Sequence, residues 1–252
     1  MDRGVKRLAF TIALALGAAL LPGSAEARPN RYAVEPPEVE KTKAFRYAAM
    51  SADACLTELR ARGVPFSLLG PPPAPGHTHV PYPRGVATPL RLSGPVRGVR
   101  FRHADPAVRD DAVLESVADC PLALALDDLA YIVRQYAVTE VHYLSMYRRG
   151  YTKPGVRHPA GRAVDVARVR FGDGSVYDVE QDFHGRIGGK TCGEGATPPT
   201  KDTPGARFFR RVVCELDATR PFNLVLTPQH DWAHRNHLHL EVRSEIRWQL
   251  IQ

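Results

Sequence analysis

Cysteine is scarce and never occurs at C-x-x-C spacing: Cys55, Cys120, Cys192 and Cys214 are the whole set. That argues against a cysteine zinc knuckle. No long apolar run follows residue 21, so no later segment reads as a membrane-spanning helix. Basic residues are not interleaved with aromatics in a nucleic-acid recognition motif, and no serine or cysteine sits in a nucleophile motif. There is no internal repeat. Membrane spans, nucleic-acid binding and covalent Ser or Cys catalysis are therefore set aside, and any chemistry must rest on other residues.

The one apolar run lies at the start, from Leu8 to Leu21, behind Arg3, Lys6 and Arg7. Pro22-Gly23 breaks it, and Ala25-Glu26-Ala27 offers small residues where a signal peptidase cuts. We expect a cleaved secretory signal over residues 1–27 and a periplasmic or secreted protein with no membrane span after cleavage. No cysteine follows the run, which argues against a lipoprotein. Removing the signal lowers the formal charge only from +7 to +6, because Arg3, Lys6 and Arg7 leave together with Asp2 and Glu26. A basic exported chain suits an anionic partner such as cell-wall polymer, lipopolysaccharide or an acidic peptide. In an oxidising compartment four cysteines read as two disulfides with three connectivities. We take Cys55–Cys120 and Cys192–Cys214, which would tie a loop or helix to a nearby helix.

Residues 28–44 are polar and aperiodic and read as a flexible lead-in to one domain over 45–252. Ser51 stands at an N-cap, ahead of a helix from Ala52 to Arg62 that Gly63 closes. Pro and Gly crowd residues 65–95, an extended loop, and Val96 to Phe101 has the alternation of an edge strand. Pro121 opens a core helix over Leu122 to Tyr136. Strands are expected at Glu140–Tyr147, Ala163–Val169 and Val176–Val179, the last two joined by a Gly172-Asp173-Gly174 turn. A mobile loop spans 184–203, a helix runs from Pro204 to Leu216, and strands follow at Phe222–Leu226 and His237–Val242. Grouped strands with hairpin-like turns predict an α+β domain with a central antiparallel sheet and helices to one side.

The ten histidines are unevenly placed, with four between His230 and His239. His237 and His239 stand two apart on an expected strand, so both share one face while Leu238 and Leu240 point to the core. In His158-Pro-Ala-Gly161-Arg-Ala-Val-Asp165, Gly161 lets the backbone turn so that an imidazole and a carboxylate converge. A third ligand from the last strand would complete three protein donors and leave a tetrahedral zinc one open position, the arrangement of a catalytic site.

His158, Gly161, Ala163 and Asp165 match the H-x-x-G-x-A-x-D signature of the D-Ala-D-Ala carboxypeptidase/hedgehog-type zinc metallopeptidases, and His237-Leu238-His239 matches their H-x-H. Within that superfamily the chain resembles the extensin-like C-terminal domain proteins of bacteria. The resemblance rests on Phe208-Phe209-Arg210-Arg211-Val212-Val213-Cys214, Phe222-Asn223-Leu224-Val225-Leu226-Thr227-Pro228 and Asp231. It covers residues 45–245 loosely and 140–245 well. It implies a hedgehog/carboxypeptidase-like fold in which His158, Asp165 and His239 bind Zn2+ and His237 is a neighbouring or catalytic histidine. The spacing His234-x-x-His237-x-His239 is similar to penicillin-insensitive murein endopeptidases, where all three belong to the active site. Ser145-x-Tyr147-Arg148 resembles the S-G-Y-R segment of the carboxypeptidases, which gives Arg148 an oxyanion or substrate carboxylate to neutralise. The implied activity is hydrolysis of amide bonds in peptidoglycan stem peptides or related cell-wall peptides. The alternative is a non-catalytic cell-envelope binding protein on the same fold.

Two positions depart from the pattern: Val156 replaces a serine, and Asn236 replaces the acidic residue that often serves as base. His237, His234 or Asp231 would have to take that role. His77-Thr78-His79 lacks a partner carboxylate and is set aside. Asp127-Asp128 reads as a helix surface pair, Asp173 as a turn residue, and Trp232 and Trp248 as packing residues.

Overall fold

Two helices follow the short strand β1 (Ala33–Val34) in the computed structural model, and each begins where a hydroxyl caps it. Thr42 accepts from the Phe45 N–H ahead of α1 (Lys43–Ala49), and Ser51 accepts from Ala54 ahead of α2 (Ala52–Ala61). After Gly63, in the left-handed conformation, come β2 (Phe66–Leu68), β3 (Pro89–Leu92), β4 (Arg100–His103) and β5 (Ala118–Asp119). Helix α3 (Cys120–Arg134) takes Pro121 in its first turn, where the missing N–H leaves nothing unsatisfied. Strands β6 (Val138–Tyr143), β7 (Ala163–Phe171) and β8 (Val176–Asp178) lead into the single turn α4 (Val179–Asp182). Helix α5 (Pro204–Thr219) is followed by β9 (Leu224–Leu226), β10 (Leu238–Glu241) and β11 (Gln249–Ile251). The structure describes residues 33–34, 38–71, 82–150, 157–243 and 246–252, all within the unit Arg31–Gln252. The expected signal, Val156 and the His77–His79 pair lie outside the described residues.

The domain is α+β, but its main sheet is mixed rather than antiparallel. Its order is β1-β11-β9-β10-β7-β6-β4, with β8 also on β7. The centre is antiparallel, whereas β4 joins β6 and β11 joins β9 in parallel. Each parallel pair is closed by a long connection, a length that sequence patterning does not reveal. The expected edge strand does lie at the sheet edge, but begins at Arg100; Val96 and Val99 instead bridge each other in a tight turn. The second sheet, β2-β3-β5, is small and antiparallel. Residues read as lead-in are built into the fold, since β1 pairs with β11 and α1 starts at Lys43.

Helices α3 and α5 cover one face of the main sheet. Leu129, Val133, Phe208, Phe209 and Val212 meet Val141, Val166, Val169, Leu238 and Leu240 there. Helix α3 is buried almost all round because α1 and α2 pack on its other side. That placement corrects the reading of Asp127 and Asp128 as a surface pair. Asp127 is fully buried and takes a bidentate grip from Arg97 at 2.6 and 2.8 Å. Asp128 accepts from Tyr47 and Lys43, both at 2.6 Å. Buried carboxylates persist in such a place only when paired.

Both expected disulfides are present, Cys55–Cys120 joining α2 to α3 and Cys192–Cys214 joining the 184–203 loop to α5. Each closes a loop, of 65 and 22 residues, and restricts the unfolded chain by about 2–4 kcal/mol. The 184–203 segment holds no helix or strand, yet it is anchored rather than free. Besides the disulfide, Arg210 donates to Thr197 O at 2.7 Å and Gln229 to Thr191 Oγ1 at 3.0 Å. Trp232 is not a packing residue: it is 69% exposed, with Arg235 over its ring. Trp248 does pack, against the Leu224, Leu226 and Leu250 cluster. Asp173 caps its turn, accepting from the N–H and hydroxyl of Ser175. Among the described residues no helix is long and apolar enough to cross a membrane.

Candidate metal centre

Period-two alternation along β10 builds one wall of the site. Leu238 and Leu240 meet the helices, so His239 and Glu241 occupy the opposite face. The register with β7 sets His239 directly across from Asp165. Cross-strand neighbours of this kind bring side chains into contact without help from a loop.

His158 arrives from a different direction, in the short turn His158–Ala160 that ends at Gly161. Gly161 is left-handed, and a Cβ there would lie 2.8 Å from Asp119 N. Only glycine combines that conformation with so close an approach. Asp119 then locks the turn to the start of α3. Its N–H donates to Gly161 O at 2.8 Å, and its carboxylate accepts from Arg162 at 2.8 Å and from the Thr88 N–H at 2.7 Å.

Three imidazoles converge on one carboxylate oxygen. Asp165 Oδ1 lies 2.8 Å from His239 Nδ1, 3.2 Å from His158 Nε2 and 3.4 Å from His237 Nε2. Burial would raise the Asp165 pKa, but its interactions with the surrounding imidazoles of His158, His239 and His237 outweigh it and hold the carboxyl well below the usual carboxylate range. Arg148, half-exposed, also reaches this group. Its Nη2 donates to Asp165 Oδ2 and, at 2.8 Å, to His158 Nε2.

The second nitrogen of each ring fixes its tautomer. His158 Nδ1 lies 3.3 Å from the Met146 carbonyl, which can only accept, so Nδ1 carries the proton and Nε2 presents a lone pair. His237 Nδ1 donates to Asn236 Oδ1 at 2.8 Å. Burial pushes the His237 pKa down to about 4 against the pull of Asp165. His239 differs because carboxylates stand at both nitrogens, Asp165 at Nδ1 and Glu241 at Nε2, 3.4 Å away. Burial works against its proton, yet bonds to Asp165 and Glu241 prevail and push the pKa up to about 8.

A second layer lies beside this cluster. His234 Nδ1 donates to Asp231 Oδ1 at 2.7 Å, and its ring stands 5.2 Å from His237 and 5.8 Å from His239. Burial lowers the His234 pKa while Asp231 opposes the shift. Among the described residues three groups offer ligand atoms within 4.8 Å of one another: His158–Asp165–His239, His234–His237–His239 and His230–Asp231–His234. Each is a donor set suited to a borderline divalent cation.

All six residues expected at a site, His158, Asp165, His239, His237, His234 and Arg148, are thus brought together. Glu241 was missed. Its signal was present, since period two from His239 puts it on the same face of β10, but a glutamate in a strand reads as exposed until its burial is known. Residues 85–252 match the family model described as extensin-like protein C-terminus. No curated protein and no solved structure matches the chain.

Proposed function

We propose that this chain, which belongs to the extensin-like protein C-terminus family, is an exported zinc-dependent hydrolase. Its substrates on this reading are amide bonds in peptidoglycan stem peptides or related cell-wall peptides. One observation carries the proposal: His158, His237 and His239 aim ring nitrogens at Asp165 Oδ1 from 2.8 to 3.4 Å. Donors about 2.0 Å from a tetrahedral zinc stand roughly 3.3 Å apart, and Asp165 Oδ1 lies 3.2 Å from His158 Nε2 and 2.8 Å from His239 Nδ1, so these three residues would hold such an ion. Zinc held there supplies Lewis acidity and a water whose pKa falls toward ~7.

The chain's own groups divide the remaining work. His234 is the better base of the two free imidazoles. Asp231 holds its Nδ1–H, so Nε2 is left to accept a proton and return it to the leaving amine. His237 has the same tautomer through Asn236, but with a pKa of about 4 it takes up protons poorly and serves as a hydrogen-bond acceptor. Arg148, moved off Asp165, neutralises an oxyanion or a substrate carboxylate with its planar charge.

The basic charge suits an anionic wall polymer, and the two disulfides suit an oxidising compartment. The paired motifs favour a likeness to the D-Ala-D-Ala carboxypeptidase/hedgehog-type metallopeptidases, and with it a hedgehog/carboxypeptidase-like fold. A second reading, a non-catalytic envelope-binding protein on the same fold, is favoured by Asn236 at the usual base position and by a guanidinium that satisfies Asp165 without an ion. Incubation with purified peptidoglycan separates the two. Release of peptides that stops with a chelator and returns with zinc supports the hydrolase; retention on the polymer with no release supports the binder. Full activity in His239→Ala would sink the zinc mechanism.

A further inference from the structure

We infer that the chain has a second, outer cation site formed by His230, Asp231 and His234, suited to zinc or a similar borderline divalent ion. Its donors repeat the inner composition of two imidazoles and a carboxylate, and their ligand atoms lie within 4.8 Å of one another. His230 already has a ligand's tautomer, whereas an ion on His234 Nδ1 displaces the proton held by Asp231. His230 Nδ1 donates to Gln252 Oε1 at 3.0 Å, which leaves the Nε2 lone pair facing Asp231 Oδ2 at 3.6 Å. A lone pair and a carboxylate oxygen repel each other unless a positive charge lies between them.

The scaffold around the three residues is fixed. Asp231 caps the turn Trp232–His234, accepting from the His234 N–H at 3.1 Å. The His230 N–H donates to Thr227 O at 2.9 Å, and Gln252 is held by its own N–H on Val225 O at 3.0 Å. Little reorganisation is needed to bind an ion, which favours affinity.

Exposure separates the outer site from the inner one. The outer side chains are 28%, 48% and 18% exposed, against 9%, 2% and 9% for His158, Asp165 and His239. The outer ion therefore keeps water in its remaining positions and exchanges more readily. One consequence rests on the proposed function. An ion on His234 Nδ1 leaves that ring's only proton on Nε2, so the base becomes a donor and excess zinc inhibits.

Equilibrium dialysis of the purified chain against Zn2+, followed by elemental analysis, tests the site. Wild type should hold two equivalents and His230→Ala one, with Asp231→Asn also holding one. His239→Ala should lose the inner ion and keep the outer. His230 is on the rim and contacts no inner ligand, so its variant keeps the fold, which an unchanged melting curve in chelator verifies. Two equivalents retained in His230→Ala, or a single wild-type equivalent that His230→Ala leaves intact, overturns the outer site. A single equivalent lost in His230→Ala but kept in His239→Ala supports the outer site while removing the inner one.

Discussion

Arg148 lays its guanidinium on Asp165, the carboxylate on which three histidines converge. The same Nη2 donates to His158 Nε2 at 2.8 Å, so one cationic side chain engages one of the three atoms that would bind zinc and the second oxygen of the carboxylate that supplies another. A guanidinium and a divalent ion cannot share the His158 Nε2 lone pair.

Arg148 therefore competes with the metal before it assists the reaction. Its side chain is 54% exposed, and a screened contact of that kind contributes roughly 1 kcal/mol. Arg148→Gln should bind zinc about fivefold more tightly in competition with a chromophoric chelator, yet turn over more slowly. Weaker zinc binding in Arg148→Gln would mean the guanidinium supports the site instead of screening it.

Proton competition at His239 predicts the pH dependence. With its pKa pushed up to about 8, the ring is charged at neutral pH, and zinc must displace the Nδ1 proton. Affinity for the first equivalent should rise about tenfold per pH unit below that value and level off above it. The sign for the metal-free fold is opposite. A raised pKa stabilises the fold fully below about pH 6.5, and that contribution disappears as pH rises through about 8. Calorimetry at pH 7 in two buffers of different ionisation enthalpy should register close to one proton released; no release contradicts the assignment.

Glu241 is the residue through which His239 is tuned. It is fully buried at 3.4 Å from His239 Nε2 and also pairs with Arg243. A carboxylate behind a ligating imidazole typically supplies 10–100-fold in metal affinity. Glu241→Gln keeps the shape and removes the charge, so zinc affinity should fall about tenfold and the calorimetric proton release at pH 7 should shrink. A stability change alone, with affinity and proton release intact, would assign Glu241 a structural role.

How much of this was legible beforehand follows from the range of the forces involved. Alternation is a local property, so the His237-x-His239 face and its strand could be read directly, as could the turn at Gly161. Burial from distant segments could not. Asp127 and Asp128 look solvated on an isolated helix, and only Arg97, Arg62, Tyr47 and Lys43, 30 to 85 residues away, cover them. Trp232 failed in the opposite sense, because a large aromatic is expected inside and the short turn that carries it leaves it in water. The parallel sheet edges depend on connections whose length says nothing about pairing partners.

Gly161 offers the sharpest test of how the turn makes the site. Its φ of +65° is left-handed, and an added Cβ would meet Asp119 N at 2.8 Å and Val86 at 3.2 Å. The conformation alone costs roughly 1–2 kcal/mol for an alanine, and the backbone contact must also open. Asp119 N donates to Gly161 O, so relief moves the turn away from α3 and carries His158 with it. Gly174 is the control, left-handed at +87° with nothing within 4 Å of its Cβ position and set in the β7–β8 hairpin. Both alanine variants should melt lower, Gly161→Ala by more. Only Gly161→Ala should lose inner-site zinc affinity, because only there does the displaced backbone carry a ligand. Equal zinc affinity in the two variants would separate the turn from the metal centre.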